Sequence, residues 1–410
     1  MKQELILKEK LPDGWKWSTL GKECDVVTGG TPPRHIKEYY GGTTPWIKPS
    51  DLDKEVYVDS SEEYLTDKGR NESRLLPSGS VLVSCIGNLG KLAIAKCELA
   101  TNQQINSLIP HNNINSKYLY YYLGFIQPLI VKKASTALVP IINKSLFSDI
   151  PLLVPPLPVQ QQIVAKLDAQ MAQIEIMKKE AEKEKGASEE MLDSYLKEIF
   201  ESKEIIDSKK IKLQKITNKI GSGSTPRGGY RIYQNEGIPF IRSMNVLMNS
   251  FSEEGLSYIS NDINNSMKNT KVEKGDVLLN ITGASIGRVC VVPDKICHAN
   301  VNQHVSIIRC KQDLNSYYLT YLISNKEFQK NILNIQSGAT RQALTKFQIE
   351  NFDIYLPDIK IQEKIVNKLK LIENELNIQM NLIDNKLSAI SLLPSALLNE
   401  VFGKYEIPNK

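Results

Sequence analysis

The 410-residue chain is poor in the residue patterns that mark most chemistry. Its six cysteines (Cys24, Cys85, Cys97, Cys290, Cys297 and Cys310) contain no CxxC pair, which excludes the usual zinc spacing and gives no disulfide framework. Its four histidines (His35, His111, His298 and His304) are not spaced as metal pairs, so no metal site is expected. The longest apolar-aromatic stretch, 118–131, is broken by Gln127 and Pro128 and is too short to cross a bilayer. Charges stand at Lys2 and Glu4, where a secretory signal needs an apolar run, so the expected compartment is a reducing cytoplasm with no membrane partner. Net charge is only +5, which permits a polyanionic partner without demanding one. Segments 87–91 and 282–288 are glycine-rich, but neither has the Gly-x4-Gly-Lys-Ser/Thr spacing that cradles phosphate, so tight turns are expected. Acidic pairs such as Asp51/Asp53 and Glu62/Glu63 are expected on solvated loops, and no catalytic residue is assigned.

What the chain has is a duplication. Gln160-Gln-Gln-Ile-Val-Ala-Lys-Leu167 returns 202 residues later as Gln362-Glu-Lys-Ile-Val-Asn-Lys-Leu369. Pro155 maps to Pro357 by the same offset, and Leu196, Glu198 and Phe200 map to Leu398, Glu400 and Phe402. Apolar residues at Ile163, Leu167, Ile174 and Met177, and at Ile365, Leu369, Ile372, Leu376 and Ile383, fall on one helical stripe with coiled-coil spacing. Lys and Glu flank it. Two matched helices in one chain most simply form this seam with each other. Gly186 should weaken the first helix and Pro394 should kink or split the second, leaving a rod of about 30 residues plus a short terminal helix in each copy.

The rest of the chain repeats too. Thr28-Gly-Gly-Thr-Pro32 matches Ser222-Gly-Ser-Thr-Pro226, and Pro45-Trp-Ile-Lys48 matches Pro239-Phe-Ile-Arg242. Strands are expected at 80–86 with a hairpin partner at 92–95, and a helix at 116–123 with Ser116 as its N-cap. These repeats predict an α/β (α+β) chain of two similar globular domains and two long antiparallel helices forming a pseudo-twofold coiled coil. The expected boundaries are domain one 1–158, helix 159–200, linker 201–210, domain two 211–358, helix 359–402 and tail 403–410. A rod of about 30 residues spans roughly 45 Å, or about 13 base pairs of duplex DNA. Two non-identical heads held that way would read two different half-sites across a fixed gap.

The duplicated order resembles the specificity subunits of type I restriction–modification systems. The likeness rests on the Leu-Pro-x-Gly-Trp-x-Trp opening at 11–17, the Gly-x-Thr-Pro turns, the proline-rich exits at 155 and 357, and the two matched helix starts. It implies two target-recognition domains on double-stranded DNA and a subunit that is not itself an enzyme. It also implies two modification subunits that bring S-adenosylmethionine, and restriction subunits that bring ATP- and Mg-dependent translocation and cleavage. The absence of an Asn-Pro-Pro-Tyr or Asp-Pro-Pro-Tyr box fits a chain that does not methylate. Two other readings stay open: a coiled-coil scaffold with protein-binding heads, and a stand-alone DNA-modifying enzyme.

Candidate DNA contacts follow each Thr-Pro turn, where basic and aromatic residues cluster: Arg34, Lys37 and Tyr39, then Arg227, Arg231 and Tyr233. Guanidinium groups suit guanine edges or phosphates. Lys48 and Arg242 are positional equivalents that suit a shared phosphate contact. Lys91 and Arg288 sit beside glycines, and Arg341 and Gln342 lie in a loop that the first copy does not match. Asn102, Gln103, Asn302, Gln303 and His304 either read bases or satisfy strand ends.

Overall fold

The computed structural model describes residues 9–135, 139–226, 228–336 and 343–408. The chain divides into two compact units, 1–181 with 386–410, and 182–385. Each unit takes part of both long helices.

In the first unit the central sheet runs Cys24–Thr28, Ile105–Pro110, Val81–Ser84, Leu92–Ala95 and Tyr57–Val58. Its neighbours are antiparallel except the last pair. Val81–Ser84 and Leu92–Ala95 are wholly buried, and they form the hairpin expected of them. A smaller sheet pairs Tyr40–Ile47 in parallel with Leu99–Thr101. The second unit repeats this plan. Its central sheet runs Thr217–Ser222, Val305–Cys310, Val277–Asn280 and Val289–Val291, and Ile238–Ile241 pairs in parallel with Asn300–Val301. In each unit a helix, Ser116–Phe125 or Ser316–Ser324, packs on the hairpin beside the central strand Ile105–Pro110 or Val305–Cys310. The N-cap is Asn115 rather than Ser116. Its side-chain oxygen accepts from Lys117 and Tyr118 N–H, both at 3.0 Å, and Asn315 does the same for Tyr317 and Tyr318. Ser116 is the first helical residue.

The long helices are Leu157–Phe200 and Ile359–Phe402, 44 residues each. Neither breaks into the expected rod and terminal piece, so each is roughly 66 Å long at 1.5 Å per residue. Pro394 lies inside the second helix. It costs about 3 kcal/mol by deleting one backbone bond. Burial outweighs that: Ile390 and Phe402 are buried, and Leu397, Leu398 and Val401 pack on the first unit's core, at about 1.5–3 kcal/mol for each fully buried side chain. Gly186 costs only about 1 kcal/mol, and the helix carries it between buried Ala181 and Ser188.

Within each unit the helix segments run antiparallel or meet in one core. In the first, Lys166 pairs with Glu400 at 3.0 Å, and Leu167 and Phe402 share a cluster. In the second, Lys185 pairs with Asp384 at 2.8 Å, while Leu196, Ile199 and Phe200 share a core with Ile365, Val366 and Leu369. Of the other seam residues, Leu376 and Ile383 are buried, and Ile163, Ile174, Met177 and Ile372 are half-buried.

A matched hook docks each head on its helix. Gln160 is fully buried; its amide donates to Asn113 O and Pro155 O (both 2.9 Å) and its oxygen accepts Asn115 N–H (2.8 Å). Gln362 is also fully buried and repeats all three bonds, to Asp313 O (2.9 Å), Pro357 O (2.8 Å) and Asn315 N–H (2.8 Å). Further along each helix Tyr121 donates to Asp168, and Tyr321 to Glu373. Phe402 packs edge-on against Tyr118 and Tyr122, as Phe200 does against Tyr318. The segment 201–210, expected as a plain linker, has structure of its own. It holds the helix Lys203–Ile206, with Ile205 buried, and opens the strand Lys209–Lys212, which pairs with Asp353–Leu356.

Candidate nucleic-acid interface

The Gly-x-Thr-Pro turns are defined by close approach. Neither Gly29 nor Gly223 needs a positive φ; instead, a Cβ on Gly29 would lie 2.2 Å from Asn102 O, and one on Gly223 1.9 Å from Val301 O. Only glycine lets the segment press against the turn before the central strand. Gly29 N–H then donates to Ile105 O and Gly223 N–H to Val305 O, both at 3.0 Å. Asn102 and Asn302 are buried and satisfy that turn, accepting from the N–H of Gln104 and His304. Gln103 and Gln303, between them, are exposed.

In the first unit this docking brings Arg34 over two rings, 4.9 Å from the centroid of Tyr40 and 4.7 Å from that of Trp46. Both of its terminal nitrogens donate to Glu63. Lys48 reaches the same carboxylate at 2.8 Å and Glu62 at 3.5 Å. The Arg34 and Lys48 bonds hold the Glu63 carboxyl below its ordinary range. Lys37 is exposed in the turn Lys37–Tyr39, and half-buried Tyr39 lends its carbonyl to Thr66 N–H. Lys91 is half-buried, with its backbone N–H on Ser84 Oγ at 2.9 Å.

The second unit arranges the same places differently. Arg242 lies 5.6 Å from the Tyr233 ring centroid and donates to Gly255 O at 2.6 Å. Tyr233 in turn packs on Phe240. Lys48 and Arg242 therefore share a backbone position but not an environment. Arg231 is exposed in the turn Gly229–Ile232. Arg288 is exposed on the rim of an open depression of about 450 Å³, with Ser243, Met244, Thr282, Ser285 and His304. The segments 87–91 and 282–288 are turns, as expected, with Gly90 and Gly287 at φ +82° and +85°. Arg227, Arg341 and Gln342 lie outside the described residues. Among the described residues, Lys37, Lys91, Arg231 and Arg288 have no ion pair, and no group of three or more His, Cys, Asp or Glu could hold a metal. No described helix is long and apolar enough to cross a membrane.

Sequence reasoning missed Glu63, whose partner Arg34 is 29 residues away, and the brace between Thr282 and His304, whose Oγ1 and Nδ1 stand 2.6 Å apart. It also missed the role of Gln160 and Gln362, although both stand first in the repeated octapeptide.

Known proteins share this arrangement. A specificity subunit of the type I restriction enzyme MjaIX from Methanocaldococcus jannaschii is 27% identical over 96% of this chain and 94% of its own length. The EcoR124I/EcoR124II specificity subunit from Escherichia coli is 35% identical over 37% of this chain and 40% of its own. Among solved structures, a chain from a study of complex assembly and conformational transition of the type I R-M system has a TM-score of 0.77 at 20% identity, covering 96% of this chain and 99% of that one. The HsdS subunit from Thermoanaerobacter tengcongensis has a TM-score of 0.58 at 19% identity, covering 96% and 98%. Both share the fold. The family model described as type I restriction modification DNA specificity domain matches twice, over residues 12–184 and 205–387, and the chain belongs to that family.

Proposed function

We propose that this chain is the DNA sequence-specificity subunit of a type I restriction–modification complex. Each head reads one half of a bipartite, asymmetric duplex site. Residues 1–158 supply one reader and 211–358 the other; the helices at 159–200 and 359–402 set the gap and dock two modification subunits. S-adenosylmethionine, ATP and Mg belong to the partner modification and restriction subunits, and the assembly works in the cytoplasm. The chain contributes no catalysis of its own.

One observation carries this reading. The two heads keep the same order of four strands in the central sheet and the same glutamine hook on a long helix, yet differ in the side chains around the turn that the Gly-x-Thr-Pro segment presses on. A shared frame with dissimilar tips is what two separate addresses require. Lys37, Lys91, Arg231 and Arg288 are the cations placed to meet phosphate, and Arg34, Tyr39, Lys48, Tyr233 and Arg242 surround the tips. Arg227, Arg341 and Gln342 stay with this set on their sequence positions alone.

Exchange of residues 12–155 for the corresponding domain of another specificity subunit tests the reading, with methylome sequencing of a host that also carries the partner subunits. One half-site should change and the other should stay. Change in both, or in neither, would refute the assignment.

A further inference from the structure

Gln103 and Gln303 occupy the same place in the two heads, each between a buried asparagine and the central strand, and each exposed. Their amides are held in opposite senses. In the first head the Thr31 hydroxyl donates to Gln103 Oε1. That occupies the carbonyl and leaves both amide N–H groups of this exposed side chain without a partner among the described residues. In the second head Gln303 Nε2 lies 3.1 Å from His304 Nε2. An amide nitrogen can only donate, so this ring nitrogen accepts. The proton of neutral His304 is then on Nδ1, 2.6 Å from Thr282 Oγ1. Thr282 fixes the ring, the ring fixes the amide, and Gln303 shows solvent its Oε1 with one remaining N–H. The depression beside it carries Arg288 on its rim.

We infer that Gln103 and Gln303 are base-reading residues of the two heads, and that their bracing sets which base edge each accepts. This rests on the DNA-reading function proposed above. An adenine edge offers N7 as acceptor and N6–H as donor, which pairs with the outward oxygen and N–H of Gln303. A guanine edge offers two acceptors, N7 and O6, which suits the two unpaired N–H groups of Gln103. Gln303 therefore reads an adenine in the half-site of the second head, and Gln103 a guanine in that of the first. Thr31, Thr282 and His304 are positioning residues.

The test uses the full chain with its modification subunits and methylome sequencing in the host. Gln303→Ala removes an exposed side chain and leaves the fold intact. It should relax a single adenine position of the second half-site by roughly 5- to 150-fold, the range for one bidentate contact, with the first half-site unchanged. Thr31→Val, also exposed, frees Gln103 Oε1 and should let the first half-site accept adenine where the parent demands guanine. A bipartite parent motif that persists unaltered in both variants overturns this inference and leaves the DNA-reading function standing. A parent motif with no bipartite form removes that function, and the inference with it.

Discussion

Replacing Gln362 by leucine should destabilise the second unit far more than an ordinary point change. The side chain is fully buried and its amide makes three bonds, two to carbonyls and one from Asn315 N–H. Each partner left unpaired costs about 1–3 kcal/mol, so three cost roughly 3–9. The added apolar surface returns about 1–2 kcal/mol. A net loss of about 4–5 kcal/mol at mid-range follows, against about 1 for a typical substitution. Urea unfolding followed by circular dichroism measures it, and hydrogen exchange at the Asn315 amide should lose its protection in step. Gln362→Glu separates chemistry from shape. Its carboxylate still accepts from Asn315, but its second oxygen faces Asp313 O and Pro357 O, where only a protonated acid can donate. The folded-state pKa of that glutamate is raised, so its contribution is fully present below the unfolded value of about 4.3 and is lost as pH rises through the folded one. Gln362→Glu should approach the parent near pH 4 and fall well below it at neutral pH. A leucine variant within about 1 kcal/mol of the parent, the net value of a single exchanged bond, would sink the claim that this residue hooks the head to its helix.

Gly29→Ala and Gly223→Ala place a Cβ within 2.2 Å and 1.9 Å of backbone oxygen, so each should cost about 3 kcal/mol or more by forcing the turn away from its sheet; thermal melts unchanged by either would contradict it. Glu63→Gln should free Arg34 and leave Lys48 only its longer pair with Glu62, steepening the salt dependence of duplex binding by about 0.9 in the log–log slope for each phosphate gained; an unaltered slope in fluorescence anisotropy would show that neither cation reaches DNA. The Glu63 carboxyl is depressed, so its ion pairs stabilise the parent above pH 4.5 and are lost as pH falls through the lower folded value. The stability gap between parent and Glu63→Gln should therefore close on acidification, and a gap that widens would reverse the assignment.

The duplicated architecture was open to reading because its signal is periodic and long. The stripe from Ile163 to Met177 repeats as Ile365 to Ile383, and no tertiary knowledge is needed to see two helices. Their uninterrupted length was not open to reading, because the propensities of Gly186 and Pro394 are local while the burial of Ile390 and Phe402 is tertiary. Gln160 and Gln362 were visible as repeated letters. Their role was hidden, because the carbonyls they satisfy lie 47 and 49 residues earlier, at Asn113 and Asp313. The same limit applied to the candidate interface. Arg34 and Lys48 read as bare cations in sequence, whereas Glu63 meets them only through the fold.

That fold also explains why some repeated positions match and others differ. Gln160 and Gln362, Asn115 and Asn315, and Gly29 and Gly223 all answer fixed backbone groups, so a change at any of them strands a buried donor or acceptor or forces a clash. Positions 48 and 242 answer nothing fixed in common. Lys48 pairs with two carboxylates, and Arg242 with a carbonyl and a ring. A phosphate approaching Lys48 has to displace a carboxylate of the same sign, while one approaching Arg242 displaces a neutral oxygen. The first exchange returns an anion to water and is close to balanced; the second adds a new ion pair and releases counterions. On the proposed DNA-reading role, two heads on one frame would draw unequally on the DNA backbone, and the head whose Arg34 and Lys48 are already paired would depend more on the base edges that its tip can read.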